Sequence, residues 1–250
     1  MGLTTILDKL SPISLDEMSS IRLMNRMDYK FIATSEQLED LLIHVRDLYR
    51  AQEVDGNRLS PYHTIYLDTP EYTMYLAHHN GRAIREKIRV RTYVDSLLTF
   101  LEVKNKNNKG RTDKKRIKVD SYENMNQDTA RTFLKESSWF TLDELRPVIE
   151  NRFSRITLVN KELTERLTID TCLCFHNFIT GSDVTLPGLV VIELKRDGFA
   201  WSPISGVLHD MRIRPLGFSK YCMGSALTNE TIKRNNFKQK IILINKLLKQ

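Results

Sequence analysis

Arg89 and Arg91 stand two residues apart in the segment REKIRVRTY, with Ile88 and Val90 at the alternate positions. Successive side chains of a strand point to opposite faces, so residues i and i+2 share one. Two guanidiniums about 7 Å apart on one face can grip successive phosphates through paired hydrogen bonds. Taken alone, such a pair describes a solvated antiparallel face more often than a clamp. The alternation recurs, however. Lys104 follows Glu102 in FLEVK, Lys114 and Arg116 share KKR, Glu193 and Lys195 share IELK, and Arg26, Asp28 and Lys30 share RMDYK. An open sheet could leave these charges in water, whereas a closed barrel would aim them into its lumen as a cationic channel holding a few carboxylates. Clustered like charges are costly without an anion, so the second arrangement predicts a polyanionic ligand with a metal.

Further segments extend the pattern. Arg152 shares a face with Glu150 and Ser154 in RPVIENRFSRITL, and Arg166 shares one with Thr168 and Asp170 in ERLTID. Glu193 sits in the apolar run GLVVIELK, where burial without compensation would be expensive; a metal or the neighbouring Lys195 would resolve that. In GFSKY, Ser219 and Lys220 occupy a tight loop that could present a hydroxyl and an ammonium to a phosphate, although by itself the segment reads as a plain loop. Other chemistries lack their signatures. There is no G-x-x-x-x-G-K-[ST], G-x-G-x-x-G or H-E-x-x-H, and no G-x-S-x-G nucleophile elbow. His78 and His79 have no nearby acidic ligands and read as surface residues.

The elements that must carry these residues follow from periodicity. Leu3 to Leu10 and Ser14 to Ile21 read as short leading helices, and Met27 to Ala33 as a strand. Thr34, with Gln37 three residues on, makes a capping box before the stripe Leu38, Leu41, Leu42 and Val45. His63 to Asp68 is strand-like, and Thr69-Pro70 opens a helical stretch to about His79. Three strands fill Ala83 to Val119, with Asn105 to Asp113 as a polar hairpin connection. Asp128 to Ser137 and Ser202 to Met211 read as helices, while Pro147 to Val159, Glu165 to Cys174 and Gly188 to Lys195 alternate as strands. Asn229 to Gln250 reads as a basic amphipathic helix. The result is an α+β protein built on a largely antiparallel sheet.

The chain has 250 residues, 41% hydrophobic and 28% charged, as an ordinary globular protein does. Its net charge of +7 favours an anionic partner. Residues 1–250 read as a single domain, with a core over about 22–228 and the basic helix over 229–250. Cys172, Cys174 and Cys222 have no framework or zinc spacing and imply reduced thiols in a cytosolic setting. No signal peptide is apparent, and the longest apolar stretch is too short to span a bilayer.

Taken in order, R-x-D-x-K, TIYLDTP, K-x-R-x-R, LEVK, K-x-R, ENR, RLTID, IELK and FSKY resemble the polyphosphate polymerase domain, the vacuolar transporter chaperone catalytic domain, among the triphosphate tunnel metalloenzymes. The resemblance spans about Arg26 to Tyr221. It implies a closed antiparallel tunnel whose phosphate ligands are Lys30, Arg89, Arg91, Lys104, Lys114, Arg152, Arg166 and Lys220, with Ser219 assisting and Arg116 on the same lining. It further implies Glu193 as the metal ligand, with Mn²⁺ or Mg²⁺ bound. The KKR run leaves Lys114 and Lys115 in competition for one position. The superfamily's E-x-E-x-K is altered, since Arg26 stands for the first Glu and Asp28 for the second; this favours the polymerase branch.

The implied activity is transfer of the γ-phosphoryl of ATP to a growing polyphosphate chain, with Arg89, Arg91, Arg152, Arg166 and Glu193 in the catalytic role and product leaving by the far end of the tunnel. A metal-dependent tripolyphosphatase or nucleoside triphosphatase is the alternative enzyme. A polyphosphate- or nucleotide-binding module, with its basic tail docking a partner protein or an anionic membrane, is the alternative of another class. Nucleic acid is not expected, because aliphatic rather than stacking aromatic residues interleave the basic stretches. A stand-alone, cytoplasmic, bacterial-type version is expected.

Overall fold

The computed structural model describes residues 2–19, 26–109, 111–198 and 202–249, with only the backbone described at 19, 26 and 197. Chain order begins with α1 (Leu3–Leu7), β1 (Ser11–Ile13), α2 (Leu15–Ser19), β2 (Arg26–Thr34), α3 (Ser35–Val45), β3 (Tyr49–Gln52) and β4 (Ser60–Asp68). It continues through α4 (Thr73–His79), β5 (Arg85–Tyr93), β6 (Leu98–Lys106), β7 (Thr112–Val119), α5 (Gln127–Ser137), β8 (Arg146–Asn160), β9 (Glu165–Asn177), β10 (Asp183–Leu186) and β11 (Leu189–Asp197). The helices α6 (Pro203–Asp210), α7 (Lys220–Thr228) and α8 (Lys238–Leu247) complete it. Among the described residues no helix is long and apolar enough to cross a membrane.

One sheet runs in the order β2-β11-β9-β8-β4-β5-β6-β7, every pairing along that path antiparallel. Among the described residues no pairing joins β7 back to β2, so the sheet curls and the closure expected from sequence is not seen among those residues. Alternation sets what each face meets. Phe31 and Ala33, Ile192 and Leu194, Leu167 and Ile169, and Ile156 and Leu158 pack outward against α1, α3 and α6. Ile65, Leu67, Ile88, Val90, Leu101 and Val103 turn outward at the other end of the sheet, among residues of α4 and α5. The predicted capping box of α3 is present, with the Thr34 hydroxyl accepting from Gln37 N and the Gln37 amide oxygen accepting from Thr34 N.

Two further expectations change. The basic tail is not one helix from Asn229, since α8 begins at Lys238 and packs Ile244 and, in part, Ile241 and Leu247 onto the core. The GFSKY segment is not a plain loop, because Ser219 caps α7, its hydroxyl accepting from Cys222 N at 3.3 Å. Gly224 hides this helix from sequence reading, since glycine costs about 1 kcal/mol inside a helix. Packing explains it: a Cβ there would collide with Phe175 Cδ1 and lie 3.1 Å from Ile149 Cγ1. Gly224→Ala should therefore destabilise the fold by roughly 1–2 kcal/mol, overpacking outweighing the helix-propensity gain. A thermal melt lower by a few degrees would show it, and an unchanged melt would contradict it.

Candidate phosphate-binding cleft

The inner face of the curled sheet carries the charged set. Register places Lys30 opposite Glu193, and Asp28 opposite Lys195, across β2 and β11. Thr168 and Arg166 lie opposite Glu193 and Lys195 across β11 and β9. On the other wall Arg89 faces Glu102 and Lys87 faces Lys104, with Arg116 and Lys114 next along β7. Because the sheet curls, Lys104 feels Arg89 and Arg91 beside it and also Glu193 and Lys195 from β11, which is far away in strand order. The KKR ambiguity is resolved: Lys114 Nζ bonds Glu102 Oε1 at 3.2 Å on the inner face, while Lys115 turns outward to Glu136 O.

Arg89 holds Glu102 through Nε at 2.7 Å and Nη2 at 2.6 Å. Glu102 is 0% exposed, and its burial works against ionisation. Arg89, then Arg91 and Lys114, outweigh that cost and hold its pKa down at about 2. Arg91 makes no contact-distance ion pair among the described residues, although it feels the charge of Glu102. Its Nε donates to Thr64 Oγ1 at 3.1 Å, and its guanidinium lies 5.6 Å from the Tyr62 ring centre. Burial and then Arg89 depress its pKa to about 10, low for a guanidinium. Lys104 is pulled well below its ordinary value by Arg89 first, then by burial and Arg91. A site in which cations press one another toward neutrality is one that an anion would relieve.

Arg152 does not join this set. It stands on the strand face shared with Ile156 and Leu158, has a side chain 70% exposed, and pairs outward with Glu150 at 2.5 Å. Arg155, three residues on, takes the inner position. It holds Asp170 in a two-point grip at 2.6 and 2.8 Å, and Asp170 also accepts from Lys220. Beside this pair the β8–β9 register shifts, with Cys172 and Leu173 standing against Phe153 and Cys172 at φ 53°. Counting back by twos from the outward-packing ITLV run selects Arg155. Arg152→Ala is expected to leave both triphosphate affinity and stability within about 0.5 kcal/mol of the unaltered protein. A titration and a melt of that variant check both.

Other inner-face groups stand outside the expected ligand set although their motifs carry them. Lys87 is the first residue of K-x-R-x-R, and its Nζ donates to Ser219 Oγ at 2.9 Å. Lys195 ends IELK and lies 3.3 Å from Glu193 Oε1, the same oxygen that Lys30 approaches at 3.1 Å. Arg166 lies close enough to Lys195 to lower its pKa, and Ser219 and Lys220 bring the start of α7 to the inner face. The side chain of Arg26 lies outside the described residues.

Burial, opposed by Glu193, brings Lys195 to about 8. A bound phosphate would favour the ammonium again. Affinity for triphosphate should therefore fall as pH rises above about 8, by up to about tenfold per unit, with proton uptake on binding. Calorimetry across pH 7–10 reads this, and Lys195→Met should flatten the profile.

Among the described residues no group of three His, Cys, Asp or Glu side chains is gathered to cage a cation. Glu193, whose side chain is 22% exposed, is held ionised against the cost of burial by Lys195 and then Lys30. One carboxylate of this kind suits Mg²⁺ or Mn²⁺ arriving with phosphate oxygens, since such ions are commonly held by one or two carboxylates plus substrate.

The VTC domain family matches residues 25–229 of this sequence. No curated relative matches it. Among solved structures, HpAC1 from Hippeastrum, a candidate adenylyl cyclase with a dominant triphosphatase activity, is 14% identical and superposes at a TM-score of 0.50. That match covers 81% of this chain and 97% of the other. A candidate adenylate cyclase from Vibrio parahaemolyticus is 10% identical, with a TM-score of 0.46, over 81% of this chain and 99% of its own. At these identities the likeness concerns the fold.

Proposed function

Because the chain belongs to the VTC domain family, we propose that it is a polyphosphate polymerase, transferring the γ-phosphoryl of ATP to a polyphosphate acceptor. The observation that carries this reading is the charge balance of the inner face. Arg89, Arg91, Arg155, Lys87, Lys104, Lys195 and Lys220 surround Glu102, Asp170 and Glu193. Such a surplus suits a triphosphate better than any neutral substrate.

Phosphoryl transfer depends mainly on positioning and on neutralising charge spread over the phosphoryl oxygens. Arg89 is held extended by Glu102, and Arg91 by Thr64, so both forks are set before substrate arrives. Lys104 and Lys195, depressed when free, would regain full charge against the phosphates. A terminal oxygen of the acceptor attacks the γ-phosphorus, and the bond to the β–γ bridging oxygen breaks, releasing ADP. No protein nucleophile is required. Glu193 would hold Mn²⁺ or Mg²⁺, which would supply further charge neutralisation.

Incubation with ATP and Mn²⁺ tests the proposal. Polymer longer than triphosphate, resolved on a gel, is the expected product. Orthophosphate release without chain growth would replace it with the hydrolytic reading. Retained binding with neither product would make the protein a binding module.

A further inference from the structure

We propose that a polyphosphate chain longer than the triphosphate in the cleft runs out sideways over the edge strand β7, with Lys118 among its outer contacts. This rests on the triphosphate reading of the cleft and replaces the expected exit through the far end.

The far end is filled. Tyr66, Ile149, Phe153 and Phe175 share the inner face of their strands and are all buried against α7 and its approach. Tyr66 stacks on Tyr221 with ring centres 5.2 Å apart. The contact at Gly224 is too close for even a methyl group. A hydrated polyanion has no route through such packing. The β2 side of the opening is also partly taken, because Leu216 N donates to Lys30 O at 2.7 Å and Pro215 bridges Phe31.

The β7 side differs. Among the described residues β7 pairs with β6 alone. Register puts Lys114, Arg116 and Lys118 beside Lys104, Glu102 and Phe100, so the row of inner charges continues onto β7 and reaches its outer edge. All three are exposed, and Arg116 lies 4.4 Å from the Phe100 ring centre, which holds it along the surface. Along β7 successive cations on this face stand about 7 Å apart, so the edge can meet a linear anion at more than one point. The opposite face of β7 presents the partly buried Ile117 and Val119 to the core and sends Lys115 to Glu136 O. Lysines also guard edge strands against strand addition, but that role places no demand on ligand length.

Chain length is therefore the readout. Affinities of the full protein for tripolyphosphate and for a linear polyphosphate of many tens of units would be measured for Lys118→Glu and Lys115→Glu. Lys118→Glu should weaken long-chain binding about tenfold and leave tripolyphosphate unchanged, while Lys115→Glu changes neither. Unchanged long-chain affinity in Lys118→Glu, or an equal loss in Lys115→Glu, would overturn the route. Single-stranded RNA bound as tightly as polyphosphate and equally sensitive to Lys118 would also overturn it, in favour of an unselective polyanion edge. Failure of the unmodified protein to bind tripolyphosphate would remove the reading of the cleft itself, and this route with it.

Discussion

Replacing Arg89 and Arg91 together by alanine is expected to weaken triphosphate binding by roughly a hundredfold or more. Hydrogen bonds to charged groups contribute about 1.5–3 kcal/mol each, and tenfold in affinity is about 1.4 kcal/mol. Two guanidiniums on one inner face thus account for a loss of that size. Arg89 also neutralises Glu102, so its removal leaves that buried carboxylate to Lys114 and Arg91. Arg89→Lys/Arg91→Lys separates the effects, since it keeps the charge and removes the planar fork. Calorimetry with tripolyphosphate should then show an intermediate loss, with a melt close to the unaltered protein. Unchanged binding in the double alanine variant would mean that these arginines do not meet the ligand.

Asp170→Ala should cost about 3–5 kcal/mol of stability, because it strands two buried cations. Arg155 and Lys220 both close on this carboxylate, which is nearly fully buried. Burial opposes its ionisation, yet Arg155 and then Lys220 hold its pKa far below the usual carboxylate range. A carboxylate with a depressed folded pKa stabilises above its unfolded pKa, and that contribution is lost as pH falls through the folded value. The variant should therefore lose the part of the acid transition that Asp170 supplies. Tripolyphosphate should raise the melting temperature of Asp170→Ala more than that of the unaltered protein, since the ligand's charge meets the stranded cations. A melt unaffected by the substitution would show that the cluster is not held as described.

Much of the site is legible in the amino-acid sequence. The i, i+2 alternation puts Arg89 with Arg91 and Glu193 with Lys195, and the observed registers keep them so. Glu102 shows in its own strand only as a neighbour of Lys104, although it is the buried partner of Arg89 and Lys114, because cross-strand partners do not show in a single strand. The ENR motif points to Arg152, whereas strand parity against Ile156 and Leu158 turns it outward and brings Arg155 in. Helix α7 stays hidden because its internal glycine answers to Phe175, a residue far away in sequence.

The sequence by itself determined which residues share a strand face, because that follows from the two-residue repeat of an extended backbone. It also carried the ordered motifs of the family. Tertiary structure alone decided that Lys104 would feel the charges of Glu193 and Lys195, that the sheet would curl with no β7–β2 pairing among the described residues, and that α7 would fill one end. Those outcomes depend on sheet curvature and on packing between distant segments. No local window of residues contains them.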